Sequence, residues 1–191
     1  HRLHELDLIA EGHKVVPYCC RCQTPLSNFE ARLDDAYRPR TDLSCTVRFR
    51  LRDDPGASLL AWTTTPWTLP SNLAAAVHPD VDYVVVEAPN GKRYLLAEAR
   101  IAAYAKELGD SPTVLARFKG KGLLGTRYAP PFDFFAGKQP NAHQVLPADY
   151  VSTEDGTGIV HIAPAYGEDD KAVTDAAAID HLDVETQHVG E

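Results

Sequence analysis

The chain has 191 residues, of which 44% are apolar and 24% charged, a composition ordinary for a globular domain. Its net charge of −8 argues against a free-standing nucleic-acid binder, because affinity for phosphate backbones comes mainly from lysine and arginine, but it is compatible with a domain that handles one end of a nucleic acid. No apolar run reaches the roughly 20 residues that span a bilayer. The N-terminus is polar, unlike a signal peptide, and the chain has no methionine. We therefore expect a cytoplasmic segment of a longer protein, without a membrane partner.

The predicted elements begin with a helix over residues 1–12, where apolar residues recur at helical spacing as far as Gly12. A turn-rich stretch follows at 15–27. Beyond it the chain is dominated by short runs whose alternation and content of β-branched residues are typical of strands. These predicted strands are residues 45–51, 58–62, 81–87, 92–97, 112–118, 143–151 and 156–163.

Two further helices are predicted among the strands. The first covers 97–109 and ends at a glycine, and the second covers 168–179 with acidic residues in its first turn. The strands outnumber the helices and do not alternate regularly with them, which argues against a doubly wound sheet. We predict a mixed α/β, β-rich fold: a barrel-like core of mostly antiparallel strands, closed or partly closed, with peripheral helices.

The stretch AWTTTPWTLPSN (61–72) places several hydroxyl side chains at the end of a predicted strand. Alternation puts Thr63 and Thr65 on one face and Thr64 on the other, and Pro66 ends the pairing. Polar groups at a strand end beside a loop are accessible to ligands. Threonine is also common in strands without any function, so this segment alone leaves both readings open.

A second segment, STEDGTGIVHIAPAYGEDD (152–170), combines glycines, a histidine and a carboxylate. Gly156 and Gly158 permit a tight turn or the close approach of another part of the chain. His161 lies on an apolar strand, where a hydrogen-bonded core histidine is the common case. Asp170 lies in the first turn of a helix, where the helix dipole favours a carboxylate in any protein. The two segments together nevertheless offer hydroxyls, an imidazole and a carboxylate near element ends.

Cys19 and Cys22 have the C-x-x-C spacing of half a zinc site. A structural zinc ion needs four ligands, but a second C-x-x-C is missing and Cys45 stands alone. Either the pair has no metal role, or the other half of the site lies in sequence outside this chain.

The segments WTTTPWTLPSN, AVHP, FKGKGLLGTRYAPPF and EDGTGIVHIAPAYGEDD together resemble the editing domain of isoleucyl-tRNA synthetases, an insertion called connective polypeptide 1. The resemblance extends from Lys14 to the acidic helix after Gly167. The related valyl and leucyl enzymes typically have arginine at the position of Thr65 and lack the histidine at that of His161. The synthetic-site signatures HIGH and KMSKS are absent.

This resemblance implies two parts of the chain. Residues 1–25 are expected to be a helix and a half zinc-ribbon-like connection from a parent synthetase, and residues 26–191 the editing domain. It also implies that zinc could bind in the full-length parent through Cys19 and Cys22, with the other ligands supplied by sequence outside this chain.

The function implied is hydrolytic proofreading by an aminoacyl-tRNA deacylase. Its substrates would be the ester of valyl-tRNA(Ile), presented as the charged 3′ end, and also valyl-adenylate. The other expected partner is the remainder of the synthetase, and we expect a monomer that needs no cofactor for editing. The alternatives are a valyl- or leucyl-type editing domain and a non-catalytic tRNA-docking module.

The resemblance also implies roles for individual residues. Asp170, rather than its neighbours Glu168 and Asp169, matches the aspartate that binds the α-ammonium group of the misattached amino acid. His161 matches a histidine beside the side-chain pocket, where its ring could block the extra methylene of isoleucine.

The threonines match a stretch that lines the site and holds the ester, the terminal adenosine or the attacking water: Thr63, Thr64 and Thr65. Trp67 and Asn72 match substrate-binding positions near the adenosine and the amino acid. No covalent nucleophile is expected, and catalysis would consist of positioning water against an ester held by fixed hydrogen bonds.

Overall fold

The computed structural model describes residues 2–179, except for 11, 13, 34, 35, 110, 135, 136 and 138. It divides into two compact units, His1–Thr41 and Asp42–Glu191. The unit boundary therefore lies after Thr41, whereas the sequence placed the domain boundary between residues 25 and 26. A start of the editing domain at residue 26 stays a prediction.

The first unit holds only short elements: helix α1 (Arg2–Glu5), the antiparallel pair β1 (Tyr18–Cys19) and β2 (Thr24–Pro25), and a 3-10 turn at Glu30–Arg32. The helix predicted over 1–12 is much shorter in the structure, although residues 1 and 11 lie outside the described part. Asp7 adopts a positive φ of 53° just after it. A four-residue helix without a buried residue has no packed face to sustain it.

The second unit is built around one sheet of eight strands. They are β3 (Cys45–Arg50), β4 (Ala57–Thr63), β5 (Ala74–Val77), β6 (Asp82–Glu87), β7 (Arg93–Ala97), β8 (Thr113–Lys119), β9 (Gln144–Pro147) and β10 (Ile159–Ile162). Seven follow the order β8-β6-β7-β4-β10-β5-β9, and β3 pairs with β4. The pairs β3–β4, β5–β10, β6–β7 and β6–β8 are antiparallel, whereas β4–β7, β4–β10 and β5–β9 are parallel.

Residues 126–129 close this sheet into a barrel-like core. Backbone hydrogen bonds join them to residues 50–52 at the end of β3 and to residues 143–145 at β9. Because β3 pairs along the length of β4, the strands β4, β10, β5, β9, the linking segment and β3 form a ring. The predicted barrel-like core is confirmed, and it includes a linking segment over which the sequence predicted no strand.

The barrel interior is apolar and aromatic. Phe49 and Tyr128 stack with ring centroids 4.7 Å apart, and Leu59 and Ile159 are fully buried beside them. This interior explains the alternation along β4 and β10, whose inward residues belong to one buried cluster. Polar side chains close to it must therefore find partners inside the protein.

Short helices cover the outside of the barrel. Helix α3 (Glu168–Ala176) follows β10, with the predicted first turn. The predicted helix over 97–109 is a 3-10 helix at Glu98–Tyr104 followed by α2 (Ala105–Leu108), and it ends as expected at Gly109, where φ is +87°. Among the described residues, no helix is long and apolar enough to cross a bilayer.

Candidate functional site

A cavity of about 230 Å³ opens where β4 and β10 lie side by side. The two strands are parallel neighbours with Trp62 opposite Val160, so both chains leave the sheet at the same end. The residues that line the cavity are Trp62, Thr63, Thr64, Thr65, Trp67, Thr68, Val160, His161, Ala163, Tyr166 and Asp170. The structure therefore brings together the three threonines, the histidine and the aspartate that the sequence singled out in two distant segments.

The threonine run forms a compact turn at the end of β4. The Thr65 backbone N–H donates to the Thr63 hydroxyl at 3.0 Å, and the two hydroxyl oxygens are 3.3 Å apart. Pro66 then begins a 3-10 helix, Pro66–Ser71, because its ring presets a helical φ and its missing N–H is not needed there. Thr63 is buried, whereas Thr64 is exposed and its hydroxyl has no hydrogen-bond partner among the described residues.

His161 is held at both ring nitrogens. Its Nδ1 lies 3.0 Å from the Asn72 side-chain nitrogen, and its Nε2 lies 2.7 Å from the Thr68 hydroxyl. Asn72 is anchored in turn, because its amide nitrogen donates to the Ala74 carbonyl at 2.8 Å and its amide oxygen accepts from the Tyr128 hydroxyl at 2.8 Å. We call Tyr128, Asn72, His161 and Thr68 the histidine relay.

The relay determines the tautomer of His161. The Ala74 carbonyl can only accept, so the nitrogen of the Asn72 amide must face it and also the imidazole Nδ1. Nδ1 is therefore an acceptor and the ring proton is on Nε2, which donates to Thr68. The Thr68 hydroxyl then donates to the Thr65 carbonyl at 2.8 Å, and every donor along the relay has an acceptor.

His161 is neutral in this environment. Only 5% of its surface is exposed, and burial lowers its pKa from the usual 6.5 to about 4. With Nδ1 accepting and Nε2 donating, the ring has no free lone pair toward the cavity. It is a rigid, uncharged wall rather than a proton acceptor.

Asp170 supplies the negative charge of the cavity. One carboxylate oxygen accepts the Ala163 backbone N–H at 2.8 Å, and the other accepts the Tyr150 hydroxyl at 3.3 Å. Burial raises the pKa of this carboxyl, and the charge of Asp169 acts in the same direction, whereas both hydrogen bonds lower it. Its neighbours Glu168 and Asp169 are exposed and do not line the cavity. Asp170 is therefore the residue of this acidic run that lines the cavity.

Two aromatic rings form the rim of the cavity. Trp67 is 55% exposed and meets Tyr166 edge to face, with ring centroids 5.2 Å apart. An exposed indole beside a cavity is a platform on which a planar ring can stack. Tyr166 was missed from the sequence, where a single tyrosine in a turn carries no signal.

Asn72 lies in a different place from the one predicted. It is 2% exposed and is absent from the cavity wall, since its amide is enclosed by the Ala74 carbonyl, the His161 ring and the Tyr128 hydroxyl. The structure therefore places it behind His161, in contact with the Nδ1 of the ring. Thr68 and Tyr128 were missed as partners, although the fourth threonine of TTTPWT was a visible signal for Thr68.

The glycines before β10 permit the close packing that the sequence indicated. Gly156 has φ +62°, and a Cβ there would lie 2.7 Å from the Trp62 ring. Gly158 has φ +74°, and a Cβ would lie 2.5 Å from the Ala97 Cβ. Arg100 holds the same loop by donating to the Gly156 and Glu154 carbonyls, each at 2.8 Å.

The cysteine pair lies in the turn between β1 and β2. The Cys22 backbone N–H donates to the Cys19 sulfur at 3.3 Å in the turn between β1 and β2. Within the described residues, no three histidine, cysteine or acidic side chains are grouped so that they could hold a metal ion. Two thiolates are half of the four ligands of a structural zinc site.

Comparison with known proteins identifies close relatives. No family model matches the chain. It is 56% identical over 184 residues to an isoleucine–tRNA ligase of Mycobacterium leprae, covering 93% of this chain and 17% of that protein. It is 54% identical over 186 residues to the isoleucine–tRNA ligase of Nocardia farcinica, with coverages of 93% and 18%. The chain thus spans less than one fifth of the length of these relatives.

A solved structure matches the fold. The cytosolic leucyl-tRNA synthetase editing domain of P. knowlesi superposes with a TM-score of 0.56 at 18% identity, covering 68% of this chain and 59% of that one. The sequence relatives and this fold agree with each other and with the resemblance in the threonine and histidine segments. The chain therefore belongs to the isoleucine–tRNA ligase family, of which it represents a segment with the fold of a synthetase editing domain.

Proposed function

We propose that this segment hydrolyses the ester of valyl-tRNA(Ile), and also valyl-adenylate, as the proofreading site of a cytoplasmic synthetase that acts on tRNA(Ile). The observation that carries the proposal is a single cavity of about 230 Å³ that joins the Asp170 carboxylate, the neutral His161 ring and the threonine hydroxyls. We also propose that the chain is monomeric and needs no cofactor for this reaction.

Such a site supplies a discrimination that binding alone lacks. One methylene in an apolar pocket is worth only about 1–3 kcal/mol, a limit for which isoleucyl-tRNA synthetase itself, choosing between isoleucine and valine, is the standard example. A pocket that selects the smaller amino acid does not have this limit. A second cavity that admits valine can exclude isoleucine strongly, because the larger side chain clashes with its wall. The rejection is strong only if the wall cannot retreat.

His161 provides a wall of this kind. Its ring is fixed by hydrogen bonds at both nitrogens and is packed with only 5% exposure. Rotating it would break two hydrogen bonds and leave the Asn72 amide unsatisfied in the interior, which costs about 1–3 kcal/mol for a buried polar group. This rigidity supports a role in excluding the extra methylene of isoleucine.

Asp170 would bind the α-ammonium group of the amino acid. Its two oxygens retain lone pairs after accepting the Ala163 N–H and the Tyr150 hydroxyl. A partly buried carboxylate whose pKa is raised by desolvation is stabilised in its ionised form when a cation binds beside it, so binding and ionisation support each other. The opposite charge also orients the ester relative to the threonines.

The hydrolytic step then needs positioning more than a nucleophile. A water oxygen bonds to the ester carbonyl carbon, the bond from that carbon to the ribose oxygen breaks, and the proton of the water passes to the departing ribose oxygen. The free hydroxyl of Thr64 and the hydroxyls of Thr63 and Thr65 can hold the water and the ester oxygens. Trp67 at the rim would stack on the terminal adenine.

Deacylation assays test the proposal directly. The 191-residue chain should release valine from valyl-tRNA(Ile) faster than isoleucine from isoleucyl-tRNA(Ile). Asp170→Asn should lower the rate on the order of 10- to 100-fold, the value of a charge-assisted hydrogen bond. The matched control Asp169→Asn removes the same charge one residue away, from an exposed position, and should keep the activity.

The alternative functions predict other results. Equal hydrolysis rates of valyl-tRNA(Ile) and isoleucyl-tRNA(Ile) would contradict the proposed selectivity for valine. Equal losses of activity in Asp170→Asn and Asp169→Asn would contradict the role of Asp170. A valyl- or leucyl-type site would favour threonyl-tRNA or another ester over valyl-tRNA. A docking module would bind tRNA and hydrolyse none of these esters.

For the full-length protein, we propose that Cys19 and Cys22 supply half of a zinc site.

A further inference from the structure

The outer face of β3 and β4 carries a row of residues that leads away from the candidate site. In the antiparallel register, Thr46 is opposite Trp62, Arg48 is opposite Leu60, and Arg50 is opposite Ser58. Opposed residues point to the same face of a sheet. Trp62 lines the site cavity, so the row starts at the site and continues along β3 through Arg48 to Arg50, which are about 7 Å apart.

Two further cavities lie along this row and share Arg48. One has about 560 Å³ and lies between β3 and the helix that contains Tyr104, and the other has about 550 Å³ and extends to a proline-rich rim. Tyr104 is held to the strand by a hydrogen bond of 2.9 Å between its hydroxyl and that of Thr46. We call this continuous feature the β3 groove, defined by Thr46, Arg48, Arg50, Lys92, Tyr94 and Tyr104.

The charge of the groove is opposite to that of the chain. Arg48, Arg50 and Lys92 form no ion pair with another described residue, whereas other cations do, such as Arg117 with Glu98 and Lys119 with Asp82. Against these three cations, the groove-lining residues of the described chain include one carboxylate, Glu107. In a chain of net charge −8, unpaired cations grouped in one concave surface indicate an anionic partner.

We propose that the β3 groove binds the single-stranded segment of RNA whose end occupies the cavity. Its cations would contact phosphates, and Tyr104, which is only partly buried, would contact a base or a sugar, the combination that recognises single strands without regard to sequence. This inference rests on the proposed function for the identity of the strand, because an ester held between Asp170 and the threonines has a nucleotide chain that must leave the cavity. The row of residues beside Trp62 offers this strand a path that begins at the cavity, and the cations of the row would neutralise its phosphates.

Direct binding tests the groove without any reaction. The probe is a fluorescent single-stranded RNA of about eight nucleotides, and its affinity is measured from about 50 to about 200 mM salt. The test variant is Arg48→Gln/Arg50→Gln. The matched control, Arg117→Gln/Lys121→Gln, removes the same charge from exposed residues outside the groove.

Each phosphate contact to a single strand contributes about 0.7 to the slope of log K against log salt. The groove variant lacks two such contacts, so its slope should be smaller by about 1.4. Between about 50 and about 200 mM salt, the RNA affinity of the unaltered chain should therefore fall about sevenfold more than that of the variant. The control should keep the slope of the unaltered chain. Equal slopes and affinities in the two double variants would overturn the proposal.

A second measurement separates the groove from the chemistry. With valyl-tRNA(Ile), the groove variant should show a raised KM and an unchanged kcat, whereas with valyl-adenosine, which has no strand, both constants should be unchanged. Loss of activity on both esters would show that the arginines act elsewhere and would overturn the inference. If the unaltered chain hydrolyses neither ester, the proposed function fails, and the RNA-binding measurement alone decides the groove.

Discussion

Acidification should destabilise the chain through His161. The buried ring has a pKa of about 4 in the folded protein, against 6.5 in an exposed histidine. The folded state therefore binds fewer protons at this residue than the unfolded state does. The stabilising contribution is complete above about pH 6.5 and is lost progressively as the pH falls from there to about 4.

The magnitude follows from the two pKa values. One unit of pKa corresponds to about 1.4 kcal/mol, so complete titration across this interval removes on the order of 3 kcal/mol from the free energy of unfolding. The physical cause is that protonated Nδ1 would face the Asn72 amide N–H, donor against donor, in the buried interior. Against a typical total of 5–15 kcal/mol, the loss is large.

Urea unfolding at several pH values measures this effect, with His161→Gln as the comparison because glutamine does not titrate. The difference in unfolding free energy between the two proteins should shrink by on the order of 3 kcal/mol between pH 7 and pH 4. Subtraction also removes the contribution of the buried His143, whose pKa burial lowers as well. A His161 that titrates near 6.5 by NMR, or a difference independent of pH, would refute the reasoning.

Three other predictions concern neighbouring positions. Asn72→Leu should lower the free energy of unfolding by about 2–3 kcal/mol, because it leaves the Tyr128 hydroxyl unsatisfied. The 15N chemical shifts of His161 should show loss of the single Nε2–H tautomer, and unchanged shifts would contradict the histidine relay. Gly156→Ala should destabilise by more than Gly91→Ala: both glycines have positive φ, but only at Gly156 would a Cβ meet the Trp62 ring, at 2.7 Å, and equal thermal shifts would contradict this. Trp67→Ala should raise KM for valyl-tRNA about tenfold with little change in melting temperature, because the ring is 55% exposed.

The sequence predicted those features that are encoded locally. Most strands of the barrel appear as runs of alternating or β-branched residues, and Pro66 and Gly109 mark the ends of elements where the structure has them. The strand β5 was missed, because its sequence AAAV neither alternates nor is rich in β-branched residues. The threonine run could be placed at a strand end because proline interrupts pairing. The resemblance distinguished Asp170 from its two acidic neighbours, and Asp170 is the one of the three that lines the cavity.

Other features depend on contacts between distant residues and leave no periodic signal. The segment 126–129 closes the barrel through backbone hydrogen bonds to two different strands, although its own sequence is interrupted by glycine and proline. The position of Asn72 behind His161 depends on the Tyr128 hydroxyl, 56 residues further along the chain. Propensity did not predict the 3-10 geometry of Glu98–Tyr104, because a single apolar stripe suits both helix types.

The histidine relay connects the fold to the site. Tyr128 belongs to the segment that closes the barrel, and its ring stacks on Phe49 in the core. Its hydroxyl cannot remain buried without a partner, and burial raises its pKa so that it stays protonated and donates to Asn72. Asn72 is thereby oriented, and it holds His161 in one tautomer at the cavity wall. The hydrogen bonds of polar groups inside the barrel thus determine the stiffness of the surface that the substrate would meet. A change behind the cavity, such as Tyr128→Phe, should therefore reduce the ratio of valyl- to isoleucyl-ester hydrolysis more than it reduces the rate of valyl-ester hydrolysis.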